Sequence, residues 1–171
     1  MDDTLRDALA TVEPFAQFNP EDLAVERLGG LTNINYRVNS PAGDFVLRLA
    51  GEGTGDYIDR AAEEKNAQVA SDAGVNAEII FFDANSGTMV TRYIENAVTL
   101  DIEKFKDKGV LERAGRAFRQ LHDSPQLFEG EFELFEQIDQ YLAVLDQLNA
   151  DLPDGYSDVH DNAKSVRAAL S

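Results

Sequence analysis

The chain contains no cysteine, which removes disulfides, thiolate metal sites, iron–sulfur ligation and a cysteine nucleophile together. Only two histidines occur, His122 and His160, and neither has a partner at metal-ligand spacing, so a histidine-rich zinc site is excluded. No window approaches the roughly 20 apolar residues that a membrane-spanning helix needs. Basic side chains are scarce: 15 Lys and Arg stand against 32 Asp and Glu, a net charge of -17. Such a surface repels phosphate backbones and anionic lipid, which argues against a nucleic-acid binder or a membrane-surface protein. Met1-Asp2-Asp3 opens without the basic and apolar regions of a secretory signal, so the expectation is a cytoplasmic protein.

What is present is ordinary for a folded domain. The 171 residues are 43% apolar and 27% charged, enough to bury a core and remain soluble. Leu5, Ala8, Leu9 and Val12 fall at helical spacing, with Asp3 or Thr4 as cap and Pro14 beyond. Alternation around Val25–Arg27, a break at Gly29-Gly30 and a resumed extended pattern at Asn35–Val38 predict a hairpin with a glycine-bearing connection. Ser40-Pro41-Ala42-Gly43 is a turn by composition, and Phe45–Leu49 is a strand rich in β-formers. Gly51, Gly53 and Gly55 lead into an alanine-rich helix over Arg60–Ala73, stopped by Gly74. Ile79–Phe82 and Met89–Ile94 flank the turn-forming Asp83–Gly87, a second hairpin that completes five strands. From Thr99 the pattern is helical, with one stripe over Val110–Leu121 and another over Phe135–Leu148. The composition shift near Glu95–Thr99 is the expected boundary between an α+β lobe and helices.

Three features invite a chemical reading. Gly29-Gly30-Leu31-Thr32-Asn33 lets backbone approach a ligand, and its amides with the Thr32 and Asn33 side chains suit phosphate oxygens; a plain turn is the bland alternative. No Gly-Lys-Ser/Thr follows, so it is not a P-loop, and a strand follows where a dinucleotide fingerprint needs a helix. Strand alternation sets Phe45, Leu47 and Leu49 on one face and Val46 and Arg48 on the other, leaving Arg48 either solvated or placed to hold phosphate. Arg60, Glu63 and Asn66 share a helix strip that reads as a surface ladder or, more sharply, as Glu63 aimed at the sheet to pair with Arg48. His122 reads as a helix-terminal residue. His160-Asp161-Asn162 does not match the kinase catalytic loop, because the Asp adjoins the His and Val166 stands where the Asn should be, so it reads as a helix start.

These elements and residues together resemble the amino-terminal lobe of the choline/ethanolamine kinase family, in its bacterial choline-kinase branch within the aminoglycoside-phosphotransferase and protein-kinase-like superfamily. Gly30–Tyr36 is similar to that family's nucleotide loop, Phe45–Leu49 to its third strand, Ile58–Glu63 with Asn66 to its helix C, and Tyr93-Ile94-Glu95 with Thr99-Leu100 to its hinge. Leu121-His122 and Gly130-Glu131-Phe132 resemble early helices of its large lobe. The resemblance implies an α+β, protein-kinase-like nucleotide lobe over residues 1–95, a five-stranded antiparallel sheet with helix C. Residues 96–171 would then be the hinge and first helices of a truncated helical lobe.

The same resemblance implies roles for individual residues. The loop residues Gly30, Leu31, Thr32, Asn33 and Asn35 would cover the ATP phosphates, with Val46 under the adenine and backbone of Tyr93, Ile94 and Glu95 at its edge. Arg48 would replace the usual lysine of the third strand, keeping the charge and adding a fork, and Glu63 would hold it; these two are the expected catalytic pair. Arg48→Ala is expected to lower kcat/KM for ATP strongly, and Arg60→Ala much less. The family's catalytic Asp, metal-binding Asn and Mg²⁺ carboxylate have no counterpart up to Ser171, so the expected function is a piece of an ATP-dependent kinase, inactive alone. The parent's substrate would be choline or a related amino alcohol. A non-catalytic nucleotide- or partner-binding module is the alternative, and self-association through an exposed helical face is expected in the truncated case.

Overall fold

The computed structural model describes residues 3–30, 32–51, 58–131 and 133–170. Leu31, Gly53, Gly55 and Phe132, which entered the expectations above, lie outside them. Helix α1 (Asp3–Thr11) turns Leu5, Ala8 and Leu9 inward, and Val12 and Phe15 extend that apolar edge through a 3-10 turn. Against it lies one face of a five-stranded antiparallel sheet: β1 (Ala24–Arg27), β2 (Ile34–Ser40), β3 (Gly43–Leu49), β4 (Ile79–Asp83) and β5 (Thr88–Arg92). The period-2 pattern of the strands determines which residues meet α1. Tyr36 and Val38 of β2, Phe45, Leu47 and Leu49 of β3 and Val90 of β5 close the core with α1, and Phe15 meets Phe45 edge to face at 5.7 Å.

The strand order is β1-β2-β3-β5-β4. Chain leaving β3 passes through helix α2 (Arg60–Asp72) to the outer strand β4 and returns along β5 beside β3. The other face of the sheet, which bears Asn35, Arg37, Val46, Arg48, Met89 and Thr91, is thus the one that α1 does not cover.

Two compact units exist, Met1–Glu129 and Gly130–Ser171. The first runs past the composition shift at Glu95 because helix α3 (Lys108–His122) and the segment after it are tied to α2. Gln120 Nε2 donates to the Ala73 carbonyl at 2.6 Å. Asn66 grips the Glu129 backbone twice, donating to its carbonyl at 2.9 Å and accepting from its N–H at 2.7 Å. The second unit holds α4 (Leu134–Gln147) and α5 (Tyr156–Leu170), joined by an Arg167–Asp139 ion pair at 2.7 Å.

Two sequence expectations need correction. His160 does not start a helix: a turn through Gly155, at φ +78, with the Tyr156 N–H on the Pro153 carbonyl, starts α5 earlier, and the His160 ring stacks on Tyr156 one turn below. The last strand ends at Arg92 and not Ile94, since Tyr93 already leaves β4 behind and Ile94 is exposed. No helix among the described residues is long and apolar enough to cross a membrane.

Candidate functional site: a guanidinium–carboxylate cluster beneath a glycine loop

The loop from Leu28 to Asn33 is closed at its base by Asn35. The Asn35 carbonyl accepts from the Leu28 N–H at 2.8 Å, and its side-chain amide donates to the Gly29 carbonyl at 3.0 Å. Gly30 has no room for a side chain, because a Cβ there would lie 2.1 Å from the Asn33 carbonyl oxygen. This is the physical reason for a glycine at that position. Thr32 is exposed and Asn33 half-buried.

Asn35 stands opposite Arg48 in the β2–β3 register, so both point to the same face and the guanidinium lies one rung from the loop. Helix α2 supplies its partner. Asp59 caps the helix, accepting from the N–H groups of Ala61 and Ala62 at 3.0 and 3.1 Å, which sets the first turn so that Glu63 meets the sheet. Glu63 Oε1 lies 2.8 Å from Arg48 Nη1, and Oε2 lies 2.5 Å from Arg60 Nη1. Arg48 Nη2 also donates to the Gly87 carbonyl at 3.3 Å, in the β4–β5 turn, and its Cζ sits 5.7 Å from the Phe82 ring centre. The half-buried cluster carries two positive charges and one negative, a net attraction for an anion at low local dielectric. Among the described residues, the buried side-chain polar atoms without a hydrogen-bond partner are Arg48 Nε and Asn33 Oδ1, and both belong to this site.

The expected residues are distributed along β3. Val46 shares the face of Arg48, between Arg37 and Thr91 in the register. Beyond it, the Tyr93 N–H donates to the Asp44 carbonyl at 3.0 Å, and the Tyr93 ring lies under the Arg37 guanidinium at 4.1 Å. That N–H is therefore engaged, while Ile94 and Glu95 are exposed. Arg37 is held by Asp44, whose carboxyl is kept below its ordinary range by hydrogen bonds from Arg37 and then Asn39. The described residues contain no group of three or more His, Asp or Glu arranged to hold a metal ion.

Sequence reasoning missed Gly87 as a contact of Arg48 and Met89 and Thr91 as neighbours on its face. For Met89 and Thr91 the signal was the alternation of β5, readable only once β5 is known to lie beside β3.

No protein-family model matches the chain. Among solved structures, a choline/ethanolamine kinase family protein from Mesorhizobium loti is 46% identical and superposes with a TM-score of 0.79 over 98% of this chain and 53% of that one. Choline kinase LicA from Streptococcus pneumoniae is 31% identical, with a TM-score of 0.73 over 86% of this chain and 51% of that chain. A structure of LicA in complex with AMP is 29% identical, with a TM-score of 0.72 over 91% of this chain and 53% of the other. Protein LicA of Haemophilus influenzae is 31% identical over 138 residues, 81% of this chain and 41% of that protein. The chain spans less than half the length of the curated relatives it matches. It is a homologue of the choline/ethanolamine kinases, with their kinase-like arrangement of sheet and helix.

Proposed function

We propose that this homologue of the choline kinases provides the ATP-binding part of a small-molecule kinase that moves the γ-phosphoryl group to the hydroxyl of choline or a related amino alcohol. In this reading residues 1–95 are the nucleotide lobe and residues 96–171 the hinge and first helices of a second lobe. The observation that carries it is the Arg48–Glu63 pair at 2.8 Å on the face of the sheet that also bears the glycine loop. Arg48 and the bent backbone at Gly30 hold the phosphates, and Glu63 orients the guanidinium fork. From Arg48 to Asp44 the strand runs about 13 Å at roughly 3.3 Å per residue, room for phosphates, ribose and base in a row. Val46 lies under the base and the Tyr93–Glu95 backbone along its edge.

Mg²⁺, when bound with the nucleotide, would supply neutralisation of the developing charge, and the family's metal-binding Asn and carboxylate have no counterpart among these residues. None of these 171 residues matches the family's base for the substrate hydroxyl, so by themselves they are expected to turn over nothing. The exposed apolar side chains of the helices, Phe118 at 65% and Leu148 at 71% among them, support the expectation that the isolated chain self-associates.

The test uses the polypeptide as its gene encodes it. ATP-dependent phosphorylation of choline is expected, with kcat/KM for ATP falling at least about a hundredfold on Arg48→Ala, as for loss of one charged contact to a transferring phosphate. Binding of ATP without turnover, together with a stop codon directly after Ser171, would favour the non-catalytic module. Failure to bind ATP at all would end the nucleotide reading.

A further inference from the structure

We propose that Arg60 is a positioning residue of the phosphate site, holding Glu63 by one carboxylate oxygen so that the other is presented to Arg48. The inference rests on the nucleotide reading above and adds to it a residue that touches no ligand.

Arg60 breaks two local rules at once. It is the charged residue among the buried described residues, 9% exposed, where an arginine is ordinarily at the surface. It also occupies the first helical position of α2, the end at which the helix dipole disfavours a cation. A residue that is unfavourable in isolation and is nonetheless buried is explained by what it holds. Its Nη1 lies 2.5 Å from Glu63 Oε2, while Glu63 Oε1 lies 2.8 Å from Arg48. The opposite side of the guanidinium is walled by the β4–β5 turn: a Cβ at Gly87 would come within 2.8 Å of Arg60 Cζ and Nε. Gly87 in turn accepts from Arg48 through its carbonyl. Arg60, Glu63, Arg48 and Gly87 thus form a closed ring in which each group limits the next.

The arrangement does two things. It restricts the Glu63 side chain, 23% exposed, which with Arg48 alone would exchange that contact for water. It also divides one negative charge between two guanidinium groups, so Glu63 aligns Arg48 without cancelling its attraction for phosphate.

The experiment measures Kd for ATP and for adenosine on the gene-encoded polypeptide by calorimetry. Arg60→Ala is expected to weaken ATP about tenfold, the value of one charge-assisted hydrogen bond, and to leave adenosine unchanged. Arg60→Lys should recover ATP affinity to within about threefold, because one ion pair to Glu63 returns. In a Glu63→Gln background, Arg60→Ala should add less than about twofold, since both act through the same carboxylate. Equal losses for ATP and adenosine, full additivity with Glu63→Gln, or unchanged ATP affinity would each overturn the proposal. If Arg60→Ala fails to fold by circular dichroism, Arg60→Met keeps the stem against Gly87 and carries the same expectations. A wild-type protein that binds neither ligand defeats the nucleotide reading itself. One that loses ATP with Arg48→Ala but keeps it with Arg60→Ala defeats this inference alone.

Discussion

The fully buried apolar side chains lie at or before Val90, and from Ile94 onward the described apolar side chains are half-buried at most. Phe15, Val38, Leu47 and Val90 have no exposed surface, whereas Ile102, Phe118, Leu148 and Leu170 are 80%, 65%, 71% and 76% exposed, and none of α3, α4 and α5 contains a buried residue. Both regions have regular apolar periodicity. In the sheet the stripe of each strand is covered by its neighbours and by α1, while the stripes of the later helices, Val110, Leu121, Ile138 and Leu142 among them, are only half-buried. Periodicity therefore specifies a face, and only a second element converts that face into stability. The Arg48–Glu63–Arg60 cluster sits on the packed side of this division, where side chains are held closely enough to position a guanidinium.

The sharpest way to break the comparison is a pair of equivalent truncations. Leu47→Ala should destabilise by about 2–5 kcal/mol, and Leu148→Ala by less than about 0.5 kcal/mol, in urea denaturation followed by circular dichroism. Similar values would mean that the helices carry a core of their own. Next in size is Glu63→Ala, which leaves Arg48 and Arg60 facing each other without their shared carboxylate. A loss of about 2 kcal/mol is expected, reduced from that of a fully buried pair because the group keeps some exposure.

Asn66→Ala tests the join between the packed sheet region and the segment after α3. Removing both hydrogen bonds to the Glu129 backbone should cost about 1–2 kcal/mol and make the Glu129 amide exchange faster with deuterium. Unaltered exchange there would detach α3 from the stability of α2. The smallest effect concerns Asp44, whose carboxyl is lowered chiefly by the Arg37 hydrogen bond. A carboxyl lowered in the folded state contributes stability present above its unfolded pKa, near about 3.9, and lost as pH falls through the folded value. Asp44→Asn should thus lower Tm slightly at neutrality, and that deficit should vanish as pH falls through the folded value, which flattens the acid limb. An unchanged acid limb would show that the Arg37–Asp44 contact adds nothing in solution.

Much of the fold is legible because its signals are local. The glycine at Gly30, the cap at Asp59, the turn at Asp83–Gly87 and the alternation of Phe45–Leu49 each act within a few residues, and the structure places an element boundary or a face where each predicts one. The Arg48–Glu63 meeting was legible only as one of two alternatives, since fifteen positions separate them and a surface ladder fits the same helix strip. The sharper alternative is the one observed: Glu63 meets Arg48, the Arg60 that it also takes is buried and not on the surface, and Asn66 turns to the Glu129 backbone. Gly87 could not be found in the same way: its turn signal is complete without any reference to an arginine 27 residues earlier.

What the amino-acid order determined by itself is the set of elements, the face each presents and the chemical types available, because backbone sterics, capping and periodicity operate over single turns and strands. The tertiary structure alone decided that β5 returns beside β3 and that α2 lies over that junction. Only those two placements bring a carboxylate between two guanidinium groups, and an ion pair's worth depends on distance and on the water excluded around it.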